Sequence, residues 1–327
     1  MIFRPRKVKR ILMVGVMDVP SSTNVAMAKG FEMLGFTIDS YNYRTRANQL
    51  GSIFSMWDDF WNFLKGQDYE LIVFCKANQM NPELLARARE VAPTWYWFMD
   101  PKETATQCGA EVFAGFATYA SATSSQVVDM FKLHNEKSYH IIEGYDPETY
   151  YYEPMKKKYN IVFVGNATPK RIKSIERIQE VTGKSVAVFG SGWHNEHGSS
   201  SIVVSHPPVY LNQEREIYNQ AKVVLNLVHD DYIFSDRVVK ALGCGALVMS
   251  EDCKDLGKMF ITMKNGSMTT LVPRFEDVEK FKVLYEMYTE HEVPAGAREN
   301  VAAFIKKFYS WKASCIKVMD KVGKNYG

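Results

Sequence analysis

The sequence predicts an α/β protein with two Rossmann-like, doubly wound parallel-sheet domains facing a cleft. Three observations carry this. Short β-branched apolar runs alternate with amphipathic helical stretches along the whole chain. The 327 residues are too many for one ordinary core and suit two domains of roughly 150 residues each. Residues 217–252 display the repeating unit in full: a strand apolar on both faces over 223–228, a polar loop from His229, and a short helix capped by Ser235 and Asp236. Gly243-Cys244-Gly245 ends that helix before a second buried strand.

The elements follow in order. Residues 10–15 form a first strand, the turn 16–24 follows, and a helix carries Met27, Phe31 and Leu34 until Gly35 stops it. A strand over 36–43, an aromatic helix around Trp57, Phe60, Trp61 and Leu64, a strand over 71–75, a helix over 82–91 and a strand over 94–99 continue the alternation. Helices near 105 and 125 and a strand over 138–142 complete a first domain, residues 1–150. The basic, tyrosine-rich segment to Lys158 reads as a linker. The second domain, 151–300, runs through strands at 160–165 and 185–190, helices at 170–182 and 211–220, the unit at 217–252, a strand at 269–272 and a helix at 275–289. One long helix over about 296–323, mostly within 301–327, is expected to cross back to the first domain.

Composition narrows the class. Hydrophobic content of 46% and charge of 24% fit an ordinary globular protein, and a net charge of +3 announces neither nucleic acid nor membrane. Five cysteines, with neither metal spacing nor a disulfide pattern, point to a reducing, cytoplasmic setting. The apolar run from Ile11 is cut by Asp18 and Pro20, so it reads as a strand and not a secretion signal; no run approaches a membrane span.

Chemistry is expected beyond the carboxyl ends of strands. Gly165, followed by Lys170 and Arg171 at a helix start, favours an anion through backbone N–H groups, the helix dipole and charge-assisted bonds. The plain alternative is a solvent-facing first turn. Gly190 and Gly192, before Trp193, allow a ligand to approach backbone beside an aromatic ring, but no dinucleotide fingerprint follows. Arg237, after Ser235, can reach a diphosphate, or else lies on the helix surface behind an Asp cap. Asn226, inside the preceding strand, is counted with Ser235 and Arg237 as a ligand-binding candidate. His194, Glu196 and His197 have metal-like spacing within a Gly/Ser loop, which is weak ground for a metal, and none is assigned. In the first domain the turn holding Asp18, and Asp100 after the strand 94–99, offer carboxylates for acid, base or hydroxyl contacts; Asp100-Pro101 is also a turn former. No Asp-x-Asp pair occurs.

These ordered motifs resemble the GT-B glycosyltransferases, particularly the group named after spore-maturation protein CgeB. The likeness is carried by residues 160–171, 188–193, 207–210, 216–227 and 235–252, and more loosely by 71–85, 97–100 and 144–150. The resemblance implies transfer of a sugar from a nucleoside diphosphate sugar, with UDP favoured and no bound cofactor. Carried over, Arg171 and Arg237 hold diphosphate, Gly190 to Trp193 and Tyr210 line the nucleotide, and Asp100 faces the sugar. Metal-independent chemistry fits the missing Asp-x-Asp. One departure stands out: where many relatives place a ribose-binding Glu this chain has Lys240, which can pair with phosphate instead, and the partner Glu eight residues earlier is Tyr232.

A non-catalytic binding or structural protein on the same fold is the competing class. For the acceptor, small molecules, glycans and proteins stay open beside DNA with hydroxymethylated bases. Arg4, Arg6, Lys7, Lys9 and Arg10 at one end and lysines between 306 and 324 at the other can provide a polyanion-binding face, or are simply solvated chain ends.

Overall fold

The computed structural model describes residues 9–193, 204–264 and 267–323. They divide into two compact units, one drawn from residues 1–144 and 311–327, the other from 145–310. The first unit runs β1 (Arg10–Val14), α1 (Thr23–Glu32), β2 (Thr37–Tyr41), α2 (Tyr43–Leu50), α3 (Ile53–Leu64), β3 (Leu71–Cys75), α4 (Glu83–Ala88), β4 (Thr94–Phe98), α5 (Lys102–Gln107), α6 (Ala110–Phe116), β5 (Tyr119–Ala122), α7 (Ser125–Lys132) and β6 (Ser138–His140). Its strands form one parallel sheet in the order β2-β1-β3-β4-β5-β6. The central strands β3 and β4 are buried at every position, as strands covered on both faces must be. Their one polar residue, Thr94, is satisfied by exchanging bonds with Thr118.

The second unit runs β7 (Tyr159–Val164), α8 (Pro169–Thr182), β8 (Val186–Phe189), β9 (Val204–His206), α9 (Asn212–Gln220), β10 (Ala221–Asn226), α10 (Arg237–Gly243), β11 (Leu247–Glu251), β12 (Ile261–Lys264), β13 (Ser267–Thr270), β14 (Arg274–Phe275), α11 (Val278–Thr289) and α12 (Ala295–Tyr309). Six strands form a parallel sheet in the order β14-β11-β10-β7-β8-β9, while β12 and β13 pair as an antiparallel hairpin. The core holds Phe163, Ile175, Val188, Trp193, Leu225 and Phe281.

The chain then returns to the first unit. Instead of one helix over 296–323, the structure has α12 and then α13 (Trp311–Lys321), broken at Ser310, whose backbone is extended. Ser310 bridges to Tyr145, so the first and last residues of the second unit pair with each other. On the first unit α13 packs against α1, where Gly30 makes room: a Cβ there would stand 2.8 Å from the Trp311 backbone.

Other elements differ from the sequence reading for local reasons. α2 is so polar that its periodicity is hidden, yet Asn42 caps it through Thr45 N and Gly51 ends it in the left-handed region. β5 is built of Tyr, Ala and Ser, without the branched residues that mark a strand. The strand expected at 269–272 is the second arm of the β12–β13 hairpin.

The tightest approach in the second unit joins the carboxyl ends of β7 and β8. A Cβ on Gly190 would lie 2.2 Å from the Gly165 carbonyl oxygen, a collision with backbone that no rotamer relieves. Gly190→Ala should therefore cost at least about 1–3 kcal/mol. At Gly296 a Cβ meets nothing within 4 Å, and Gly296→Ala should change stability by less than about 1 kcal/mol. Urea unfolding of the two variants checks the contrast.

Candidate functional site

The residues that gather in the second unit lie at the carboxyl ends of β7, β10 and β11 and at the start of α8. Thr168 caps α8 through Arg171 N, Pro169 opens it, and its fourteen residues carry no acid in the first turn. Arg171, in that turn, is 6% exposed. Its Nη1 donates to Asn166 O at 3.0 Å and its Nη2 meets His229 Nε2 at 3.0 Å. Its Nε is buried and has no hydrogen-bond partner among the described residues. Arg237, the first residue of α10, is 5% exposed. It donates from Nε to Val164 O and from Nη1 to Asn226 Oδ1 at 2.9 Å. Asn226 is fully buried and fixed in turn by Ser250.

Both guanidiniums rest against one ring, Phe163, at 5.2 Å for Arg171 and 4.4 Å for Arg237. Burial and the neighbouring Arg237 push the Arg171 pKa down to about 10, and burial lowers that of Arg237. Both stay charged near neutral pH, so two like charges are held together in a desolvated place. Burial, and then Arg171 and Arg237, likewise lower the His229 pKa, which keeps the ring neutral and lets Nε2 accept from Arg171. Lys170 is more exposed, donates to Val228 O at 3.3 Å and stands 3.9 Å from Glu251. The arrangement can receive an anion: a helix start, a half-exposed lysine and two arginines with unspent charge.

The glycines serve this geometry. A Cβ on Gly165 would lie 2.7 Å from Arg237 Nη2, so glycine leaves room for the guanidinium. Gly192, in the left-handed region, turns the chain into Trp193. Here the sequence reading needs correction. Trp193 does not offer its face to a base; it is 7% exposed, packs edge-on against Phe163 and donates from Nε1 to Gly165 O at 2.8 Å. Its work is to hold the Gly165 turn. Tyr210, beyond the end of β9, is 58% exposed, as a ligand-lining residue can be.

Lys240 is a second correction, because it is not free to meet phosphate. Its Nζ lies 2.6 Å from Asp236, one turn back, and 3.7 Å from Glu214 on α9. Burial opposes its charge, but Asp236 and Glu214 outweigh that and raise its pKa well above the ordinary value. Glu214 also accepts from the Tyr150 and Tyr218 hydroxyls. A glutamate at 240 would face two carboxylates, so the lysine there is tied to its surroundings. Ser235 is also engaged, accepting from Arg237 N and donating to Asp236.

In the first unit, Asp100 pairs with Lys76 at 2.6 Å beyond the ends of β4 and β3. Lys76 and the following Ala77 have positive φ, a strained turn of the kind that collects at functional sites. Asp18 accepts from the Thr45 hydroxyl at 2.6 Å, which holds its pKa below the usual value and makes it a weak base. Lys76 and Glu251 were missed from the sequence, although one follows a strand and the other ends one, whereas His229 opens the loop read as a place for chemistry. Of the basic ends, Arg10 is committed to Asp39 and covers Tyr69, so it is not available to a phosphate chain. Arg4, Arg6, Lys7 and Lys324, and the set His194, Glu196 and His197, lie outside the described residues. Among the described residues no helix is long and apolar enough to cross a membrane, and no group of three His, Cys, Asp or Glu could hold a metal ion.

With this geometry in place, comparison adds three findings. Residues 171–311 match the family model described as glycosyl transferase-like. No curated protein matches the chain in sequence. Solved structures do match: HepE (Alr3699) of Anabaena in complex with UDP-glucose, at 13% identity and TM-score 0.67 over 96% of this chain and 99% of that one. Sucrose-phosphate synthase from Thermosynechococcus elongatus gives 12% and 0.66 over 96% and 98%. A glycosyltransferase from Rickettsia africae gives 11% and 0.64 over the same shares. At such identities the likeness establishes the fold, the two-sheet α/β architecture of GT-B glycosyltransferases.

His229 yields a test of the charge balance. The unfolded chain takes up the histidine proton near pH 6.5, the folded chain only at lower pH, so stability falls as pH drops through that interval. His229→Gln retains an acceptor without a titrating ring. Between about pH 7 and about pH 5 it should lose less stability than the wild type in denaturant titrations; equal losses would refute the assigned cause.

Proposed function

We propose that the chain is a glycosyltransferase that moves a sugar from a nucleoside diphosphate sugar to a hydroxyl acceptor without needing a metal ion. The observation that carries this reading is the pair Arg171 and Arg237, charged and buried beside the start of α8, with the Nε of Arg171 lacking a partner among the described residues. In the reaction the bond from the anomeric carbon to the diphosphate oxygen breaks, and negative charge grows on the departing diphosphate. The acceptor oxygen bonds to that carbon and releases its proton to a base or to water. Cations already oriented toward the leaving group stabilise that charge more as it develops. Lys170, the more exposed cation, meets the diphosphate at the rim, and Arg171 adds buried charge behind it, its Nε without a partner among the described residues. The match over residues 171–311 and the UDP-glucose bound by HepE support a uridine nucleotide as donor. Asp100, held by Lys76, is the carboxylate assigned to the sugar or acceptor, ahead of Asp18, whose bond from Thr45 weakens it as a base.

Two outcomes follow from this assignment. Arg171→Gln should weaken binding of the true donor by at least about tenfold, whereas Asp100→Asn should lower turnover by about a hundredfold or more with donor affinity unchanged. Calorimetry and initial rates, after a thermal-shift screen of nucleotide sugars, separate the two roles; tight nucleotide binding without any turnover favours a non-catalytic protein. Activity should also survive EDTA. Complete loss restored by manganese contradicts the metal-independent mechanism.

A further inference from the structure

At the opposite edge of the same sheet lies a second basic place that the donor site does not use. The chain segments entering β7, β10 and β11 and the loop before α12 enclose a cavity of about 380 Å³, with an adjoining one of about 410 Å³. Lys157 and Arg298 line both. Lys156 and Lys222 add two exposed cations to the wall, and Glu292 is its one acid. Since β7 spans six residues, this edge stands about 17–20 Å from the Arg171 end.

Two features mark the cavity as built for charge. Arg298 is 7% exposed and held from inside, with Nε on Val293 O and Nη1 on Gly245 O, both at 3.3 Å. Lys157, half-buried, donates to Asn219 O at 2.6 Å. Burial first, and then the charge of Arg298, push its pKa down to about 8, with Glu292 and Cys244 acting in the other direction. The first turn of α12 also opens here: its fifteen residues begin after Pro294, no side chain caps them, and no acid stands in the first turn. Orphan N–H groups, a dipole and two crowded cations all favour an incoming anion.

We propose that this cavity is a second ligand site, which takes a small phosphoryl-bearing anion, free phosphate or a phosphomonoester, between Lys157, Arg298 and the start of α12. Its volume accommodates a phosphoryl group with a sugar-sized body and no long polymer. Nothing in this site depends on the glycosyltransferase reading, because no residue is shared with the Arg171 and Arg237 end.

The test uses inorganic phosphate as probe. By calorimetry, Arg171→Gln, with the donor end disabled, should still bind it, while the double variant Arg171→Gln/Lys157→Met should bind at least about tenfold more weakly. A phosphate signal abolished by Arg171→Gln and intact in Lys157→Met, or no binding at millimolar phosphate, would overturn the proposal. A second measurement needs no variant. At pH 8 the lowered pKa of Lys157 leaves part of it neutral and open to acetic anhydride; bound phosphate favours its charged form and should slow its labelling at least about threefold relative to exposed Lys184, read by mass spectrometry. Equal labelling with and without phosphate contradicts it, whereas phosphate esters that protect Lys157 more than free phosphate identify the monoester as the preferred source.

Discussion

The second unit is arranged around an interaction that costs it stability: two guanidiniums, Arg171 and Arg237, share one ring, and among the described residues no carboxylate forms an ion pair with either. Taking two like charges out of water is unfavourable unless something of opposite sign arrives. The surrounding sequence tolerates this by supplying neutral acceptors. Asn166, Val164 and Asn226 give oxygens, and His229, held neutral, gives a nitrogen. Gly165 makes space, Gly190 brings β8 against it, and Trp193 fixes its carbonyl. None of these contacts neutralises the charge. An anion at the start of α8 does.

Lys240 shows the opposite treatment of a cation. Asp236 and Glu214 compensate it locally, and two tyrosine hydroxyls occupy the remaining lone pairs of Glu214. Replacing one member of such a cluster leaves an unpaired buried charge, which typically costs about 3–5 kcal/mol. The residue type alone therefore does not tell a ligand-binding cation from a structural one. The difference lies in whether carboxylates of the protein already meet it.

That distinction explains what could be read from the sequence. Strands such as β3, β4 and β10 were legible because burial on both faces demands unbroken apolar runs, and the start of α8 was legible because Thr168, Pro169 and two cations follow a glycine. Arg171 and Arg237 were named because each stands at a helix start beyond a strand end. Trp193 and Lys240 were misjudged because their partners, Gly165 O in one case and Glu214 in the other, lie 28 and 26 residues away in the chain and on other elements. Lys76 went unnoticed for a similar reason: a single polar residue after a strand acquires meaning only when Asp100 is beside it. The break at Ser310 was hidden by continuous helical periodicity on both sides.

The central claim is that the buried arginine pair awaits a diphosphate. It is tested most directly by calorimetry of a nucleoside diphosphate against the corresponding nucleoside, the base being that of the best donor. If the diphosphate supplies the compensating charge, removing it should weaken binding by at least about a hundredfold, and binding below about pH 7 should take up a proton as His229 gains a negative neighbour. Equal affinity for nucleoside and diphosphate, with no proton uptake, would contradict the account.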